Sequence, residues 1–276
     1  MTTDTTLEIF AGNSDDSPLV VSVPHAGTLV PEADARLLAL SGNALLRDAD
    51  LFVDRLTSGV PALGVPVLVA RVSRYVLDVN RAPDDVDRDV CPALDRSARV
   101  SARGLVWRLT TDGAPVLNRH LTLAELDGRI ARIHSPYHAA LAQLLSERRA
   151  RHGFAILLDA HSMPSTGRLG HTDPGARRAD IVPGDVRGTS CHRGVSRLVG
   201  RHFEAAGFSV RPNDPYSGGF ITRHHGQPAR GVHAIQLEMN RDLYMDEHTL
   251  RFDDAKAALL VPHLLSLVAK LKDWRP

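Results

Sequence analysis

Two histidines and a glutamate, each at the end of an apolar run, are the residues of this chain best placed to do chemistry. Leu19-Val20-Val21-Ser22-Val23 leads into Pro24-His25-Ala26-Gly27, and Ala155-Ile156-Leu157-Leu158 leads into Asp159-Ala160-His161-Ser162. A third run, Val232-His233-Ala234-Ile235-Gln236-Leu237, delivers Glu238. Open α/β sheets bind ligands outside the carboxyl ends of their strands, so these side chains are candidates for one site. Two neutral imidazoles and a carboxylate are the raw material of metal-assisted hydrolysis. Each also has an ordinary reading: His25 bonded to a loop carbonyl, and Glu238 paired with a neighbouring arginine such as Arg241.

Further polar groups cluster in three segments. Asp48-Ala49-Asp50, with Asp54 beyond, falls in the first half of a helical pattern, where aspartates serve as caps or reach a cation. Ser73 to Arg81 carries Arg74, Asp78, Asn80 and Arg81; read as a strand over 75–79, it puts Arg74, Asp78 and Asn80 on one face. Arginine forks bind carboxylates bidentately, which suits an anionic substrate. The plainer alternative is an ion pair between Arg74 or Arg81 and Asp78. Tyr216 to Gly226 is a Gly-rich loop with Arg223, His224 and His225, and it lacks the Lys and following helix of a phosphate loop. Asp159, two residues before His161, is placed to orient an imidazole. His134, His138, His152 and His263 read as surface or boundary residues. No Gly-x-Ser-x-Gly elbow occurs, and neither Cys91 nor Cys191 has a nucleophile's neighbours, which argues against covalent catalysis.

Strand and helix patterns alternate around these segments. Helices are expected over 32–40, 43–58, 122–151 (interrupted near Pro136), 189–206 and 253–272 (kinked at Pro262). Thr122 and Glu125 form a capping box in sequence. Strands are expected at 19–23, 65–70, 75–79, 155–159, 208–210 and 232–237, with long loops at 162–188 and 212–231. Residues 82–120, with the acidic stretch Asp84 to Asp89, read as an irregular surface excursion. The 276 residues thus describe a single α/β domain, 1–276, with a mixed, mostly parallel sheet flanked by helices. Lys and Arg number 33 against 32 Asp and Glu, so overall charge makes no case for nucleic acid or an anionic membrane. No apolar run approaches the roughly 20 residues of a membrane span. An N-terminus without a signal pattern and two thiols expected to stay reduced point to a cytoplasmic protein; homo-oligomer formation is left open.

Seven segments in order carry a resemblance: VPHAG (Val23–Gly27), DAD (Asp48–Asp50), SRYVLDVNR (Ser73–Arg81), DAHSMPS (Asp159–Ser165), DIVPGDVRGTSC (Asp180–Cys191), GGFITR (Gly218–Arg223) and QLEMNRDLYMDE (Gln236–Glu247). Together they resemble the N-formylglutamate amidohydrolase (deformylase) family of histidine degradation. The resemblance implies a zinc-carboxypeptidase-like (phosphorylase/hydrolase-like) fold related to aspartoacylases, and hydrolysis of a linear amide C–N bond to give formate and glutamate. It also implies one zinc ion on His25, Asp50 and His161, with Asp48 the second choice of acidic ligand. Zinc carboxypeptidases carry a Glu three residues after their first His, and here that position is Thr28. Glu238 is then the general base, Arg223 or His224 supports the oxyanion, and Arg74, Asn80, Arg81 and Arg223 receive the substrate carboxylates. A deacylase of another small acidic N-acyl amino acid or peptide is the alternative, and a non-catalytic binding protein of this fold the more distant one.

Overall fold

The computed structural model describes residues 6–13, 16–94 and 101–276. The N-terminal pentapeptide read for targeting, and residues 95–100 of the 82–120 segment, lie outside them.

Four buried apolar runs form the centre of a six-stranded sheet. The strands are β1 (Leu7–Phe10), β2 (Leu19–Val23), β3 (Val67–Ala70), β4 (Ala155–Met163), β5 (Ile181–Gly184) and β6 (Val232–Asn240), in the spatial order β1-β3-β2-β4-β6-β5. β3, β2, β4 and β6 run parallel, and the edge strands β1 and β5 run antiparallel to their neighbours. Near-continuous hydrophobic strands are what a sheet covered on both faces demands, and β2, β3 and β4 are buried at every position. This is the mixed, mostly parallel sheet expected from the sequence.

The helices are α1 (Glu32–Ala35), α2 (Val53–Leu56), α3 (Leu123–Arg129), α4 (Ser135–His152), α5 (Arg193–Ala205), α6 (Phe220–His225) and α7 (Asp254–Asp273). Leu260, Leu264, Leu267, Val268 and Leu271 of α7 pack with Val195, Val199 and Phe203 of α5 on one sheet face. Pro262 does not interrupt α7. A mid-helix proline costs ~3 kcal/mol, whereas burying five large apolar side chains returns roughly 1.5–3 kcal/mol each. Tyr137, Leu141 and Leu145 of α4 pack on the opposite face. The Thr122–Glu125 capping box opens α3 as expected, and Pro136 sits in the first turn of α4, after a single π-type turn at Ile130–His134.

Several local expectations fail. Residues 43–58 form a 3-10 turn and the single turn α2, so Asp48 and Asp50 stand on a connecting segment; residues 32–40 keep one helical turn. Residues 75–79 are turns, and 208–210 retain only a bridge from Val210 to Ile181. The 82–120 excursion is no surface loop: Val86, Val90, Leu105, Val106, Trp107 and Val116 are buried in the core beside α4. The two expected long loops contain β5 and α6, and β4 runs four residues past Asp159. Both cysteines are buried free thiols. Among the described residues no helix is long and apolar enough to cross a membrane.

The helix formed by α3, the π-type turn and α4 brings two histidines under the 79–81 segment. His134 Nε2 donates to the Arg81 carbonyl (3.0 Å) and His138 Nε2 to the Val79 carbonyl (2.8 Å). His138 Nδ1 then accepts from His225 Nε2 at 3.0 Å. His134 is buried, beyond the surface or boundary place its sequence position implied, whereas His138 is half-buried, a boundary residue as read. Burial lowers His138 to about 4, with His134 adding repulsion, and lowers His225 to about 3, with His138 adding repulsion. Unfolded imidazoles take up protons near pH 6.5, which these folded rings refuse until about pH 4 and pH 3. Stability is therefore lost as pH falls through that window, by roughly 3 kcal/mol for His138 and roughly 5 kcal/mol for His225 at its foot. Denaturant melts at pH 7, 5.5 and 4.5 should show this acid loss reduced in a His138→Gln, His225→Gln double variant; equal slopes would refute it.

Candidate active site

One sheet face changes character along its strands. Towards their amino ends it presents Val20, Leu157 and Ala234, packed with α4. Two residues on, alternation places Ser22, Asp159 and Gln236 on that face, and His161 and Glu238 follow. His161 and Glu238 are register partners on adjacent parallel strands. Both belong to the carboxyl-terminal parts of β4 and β6, past the point where β2 has ended.

His25 enters from the turn after β2. Its approach depends on Gly27, where a Cβ would lie 2.4–2.6 Å from the backbone of Ala70 and Arg71. The His25 carbonyl accepts the Asp50 N–H at 2.9 Å, which brings the 48–50 segment to the histidine. Phe52, two residues later, holds the left-handed conformation (φ 66°), a geometry costing roughly 1–3 kcal/mol that persists only where surrounding structure enforces it.

Three donor atoms converge. His25 Nδ1 lies 3.2 Å from His161 Nδ1 and 3.5 Å from Asp50 Oδ2, and His161 Nδ1 lies 3.0 Å from that oxygen. The outer ring nitrogens are held by carboxylates: His25 Nε2 by Asp78 Oδ1 (2.7 Å) and His161 Nε2 by Asp159 Oδ2 (3.0 Å). With both Nε2 protons donated outward, both Nδ1 lone pairs face inward, the arrangement that orients histidine ligands around a metal. Asp159 is itself fixed by Ser22 Oγ at 2.8 Å, and that hydroxyl lies 2.8 Å from Tyr137 OH. Asp78 accepts from Trp107 Nε1 (3.0 Å), Arg74 Nη2 (2.8 Å) and the Asn80 N–H (2.9 Å).

Burial alone would raise the Asp50 carboxyl, but hydrogen bonds and charge from His161 and His25 hold it well below the usual carboxylate range. Asp78 is held low against its burial by Arg74 and His25. Burial would lower His161, yet Asp159 and then Asp50 draw it well above the usual imidazole range. Burial pushes Glu238 up against the pull of His161, with Asp50 adding to the rise. Gln236 orients this carboxylate: its Oε1 accepts the Gly219 N–H and its Nε2 donates to Glu238 Oε1, each at 2.8 Å. Four buried carboxylates (Asp50, Asp78, Asp159 and Glu238) face two guanidiniums at ion-pair distance, Arg74 and Arg241. The negative charge these carboxylates leave uncompensated suits one divalent cation, which would take the place of the proton that Asp159 and Asp50 draw onto His161. His25, Asp50 and His161 are the one such donor group among the described residues, and their two nitrogens and one oxygen are a zinc-type set.

The cleft above this group encloses about 350 Å³. Arg74, Asn80, Arg81 and Arg223 all line it, together with His25, Asp50, His161 and Glu238. His224 does not; its exposed ring stacks on Phe220 at 4.9 Å. Asp48 reaches the cleft wall, but Tyr75, Thr111 and Arg168 saturate its oxygens, so Asp50 is the acidic member of the donor group. Arg241 pairs with Asp50 at 3.2 Å rather than with Glu238, as its sequence position had allowed. Arg74, while lining the cleft, also donates to Asp78 and to the Asp48 carbonyl. Sequence reasoning missed Trp107, Arg103, Thr111 and His171 as cleft residues, while Tyr216 opens the Gly-rich loop it had singled out. The four missed residues stand on irregular segments with no periodicity to mark them.

An open α/β sheet that gathers a His–Asp–His donor group and an oriented glutamate beside the carboxyl ends of its strands has the makings of a hydrolase site. Residues 17–245 match the model of a family described as N-formylglutamate amidohydrolase, and the chain belongs to that family. It is 35% identical over 264 residues to the N-formylglutamate deformylase of Pseudomonas aeruginosa, and 34% identical to that of Pseudomonas putida. Each alignment covers 93% of both chains. The crystal structure of N-formylglutamate amidohydrolase from Ralstonia eutropha superposes with a TM-score of 0.87 at 33% identity, over 98% of this chain and 97% of that one.

Proposed function

We propose that the chain hydrolyses N-formyl-L-glutamate to formate and L-glutamate, with one zinc ion held by His25, Asp50 and His161. The observation that carries this reading is the convergence of those three donors beside Glu238, in a member of this family. A zinc ion bound there would polarise the formyl carbonyl and acidify an attacking water. Glu238, aimed by Gln236, takes the proton of that water and returns it to the departing amine. Asp78 and Asp159 hold the two imidazoles in the tautomer that presents Nδ1. Asn80 is fixed through its side-chain oxygen by the Ile221 N–H at 2.8 Å, and its amide NH2 lies 3.4 Å from the outer nitrogen of His161 in the cleft lining. Asn80 and Arg81 take the carboxylate nearest the scissile bond, and Arg223, at the cleft edge, supports the oxyanion.

The test is formate release by purified protein of known zinc content. Release from N-formyl-L-glutamate should cease on chelation and return with one equivalent of zinc. Release of other acyl groups, without formate, would instead favour a deacylase of another small acidic N-acyl amino acid. Zinc-free protein hydrolysing none of these substrates would defeat the enzyme reading and leave a binding protein.

A further inference from the structure

The arginines lining the cleft fall into two kinds. Arg74 and Arg241 end on carboxylates of the donor group or of its supports. Arg81, Arg103 and Arg223 meet no carboxylate among the described residues. Arg103 is the most firmly built of these three. It opens a tight turn closed by its bridge to Trp107, with the Arg108 and Leu109 N–H groups both donating to the Ala102 carbonyl. Gly104 lets this turn press on Asp85, whose carbonyl oxygen would lie 2.2 Å from any Cβ there. The guanidinium rests on Gly170 of the 166–177 loop, where a Cβ would fall 2.4 Å from Nη1 and 2.7 Å from the Thr111 carbonyl. Arg103 Nη2 donates to the Gly170 carbonyl, and the Arg103 carbonyl accepts Arg81 Nε at 2.8 Å. Burial lowers the Arg103 pKa; Asp48 opposes this and the Arg81 charge reinforces it. Two neighbouring cations are thus held in a partly desolvated cleft with no anion between them, an arrangement that an incoming carboxylate relieves.

We propose that Arg103 is a specificity-determining residue that receives the side-chain carboxylate of the acidic substrate. This rests on the amide-hydrolase reading above. The α-carboxylate is attached to the carbon that bears the scissile nitrogen, so it stays beside the donor group, and Asn80 and Arg81 of the cleft lining are assigned to it above. Arg103 makes no hydrogen bond or ion pair with the donor group. It lines the same cleft, between the 101–109 turn and the 166–177 loop, on the side left for a carboxylate carried three bonds from the α-carbon.

The experiment compares N-formyl-L-glutamate with N-formyl-L-glutamine, its neutral isostere, on wild-type, Arg103→Gln and Arg103→Lys proteins. Arg103→Gln should raise KM for the glutamate substrate roughly 10- to 100-fold, the value of a charge-assisted contact. Its kcat should stay within about threefold, and kcat/KM for the glutamine substrate should scarcely change. Arg103→Lys should recover part of the loss. An equal fall on both substrates would mean that Arg103 only tethers the 166–177 loop, and would overturn the proposal. If the wild type hydrolyses neither substrate, calorimetric titration with glutarate separates the two readings. Binding weakened tenfold or more by Arg103→Gln would uphold the carboxylate site while the hydrolase reading fails. Absence of glutarate binding to the wild type would overturn the site as well.

Discussion

Glu238→Gln is expected to lower kcat on N-formyl-L-glutamate roughly 100- to 10,000-fold, the contribution of a positioned general base. The replacement keeps the shape of the side chain and an oxygen for the Gln236 amide to meet. It removes only the ability to accept a proton. Burial holds the Glu238 carboxyl above its ordinary value against the pull of His161, which brings it nearer the pH at which a base both accepts and returns a proton. Zinc content and melting temperature should remain those of the wild type, because Glu238 is not a member of the donor group. Formate release, metal analysis and a thermal melt on the same preparation check all three. Activity within fivefold of wild type would remove Glu238 from the proton-transfer role.

Asp50→Asn should abolish tight zinc binding and activity together, whereas Asp48→Asn should spare zinc binding and cost stability. Loss of an outer partner of a metal ligand costs roughly 10- to 100-fold in affinity, and loss of the ligand itself should exceed that. Asp50 carries a second duty, because its Oδ1 lies 3.2 Å from Arg241 Nη2. Breaking a buried ion pair from one side costs roughly 3–5 kcal/mol, so the Asp50 variant should also melt earlier. A zinc-competition titration reads the affinity directly. Asp48 accepts hydrogen bonds from Tyr75, Thr111 and Arg168, and these should weaken without disturbing the inward-facing donors. A zinc-binding Asp50→Asn protein beside a zinc-free Asp48→Asn protein would reverse the ligand assignment.

The sequence by itself determined the parts of this protein that depend on short-range pattern. Apolar runs of strand length marked β2, β3, β4 and β6, and the 3.6-residue period marked the long helices α4, α5 and α7. The residues ending those runs, His25, His161 and Glu238, were legible as one site because parallel strands deliver their ends to a common edge. Seven motifs in order sufficed for the family. Tertiary structure alone decided which charges meet. Residues 43–58 and 75–79 mimic a helix and a strand locally, yet the chain uses them as turns. Their gains are long-range: the Asp50 N–H to the His25 carbonyl, the Tyr75 hydroxyl to Asp48, and the Asp78 N–H to the Leu105 carbonyl. The same holds for the imidazole supports and the arginines. Asp78 is 53 positions from His25, and Arg241 is 191 positions from Asp50. His224 neighbours Arg223 in sequence but stacks on Phe220, outside the cleft lining. Period and propensity act over a few residues, whereas charge pairing depends on distances set only when the sheet and its connections have closed around one another.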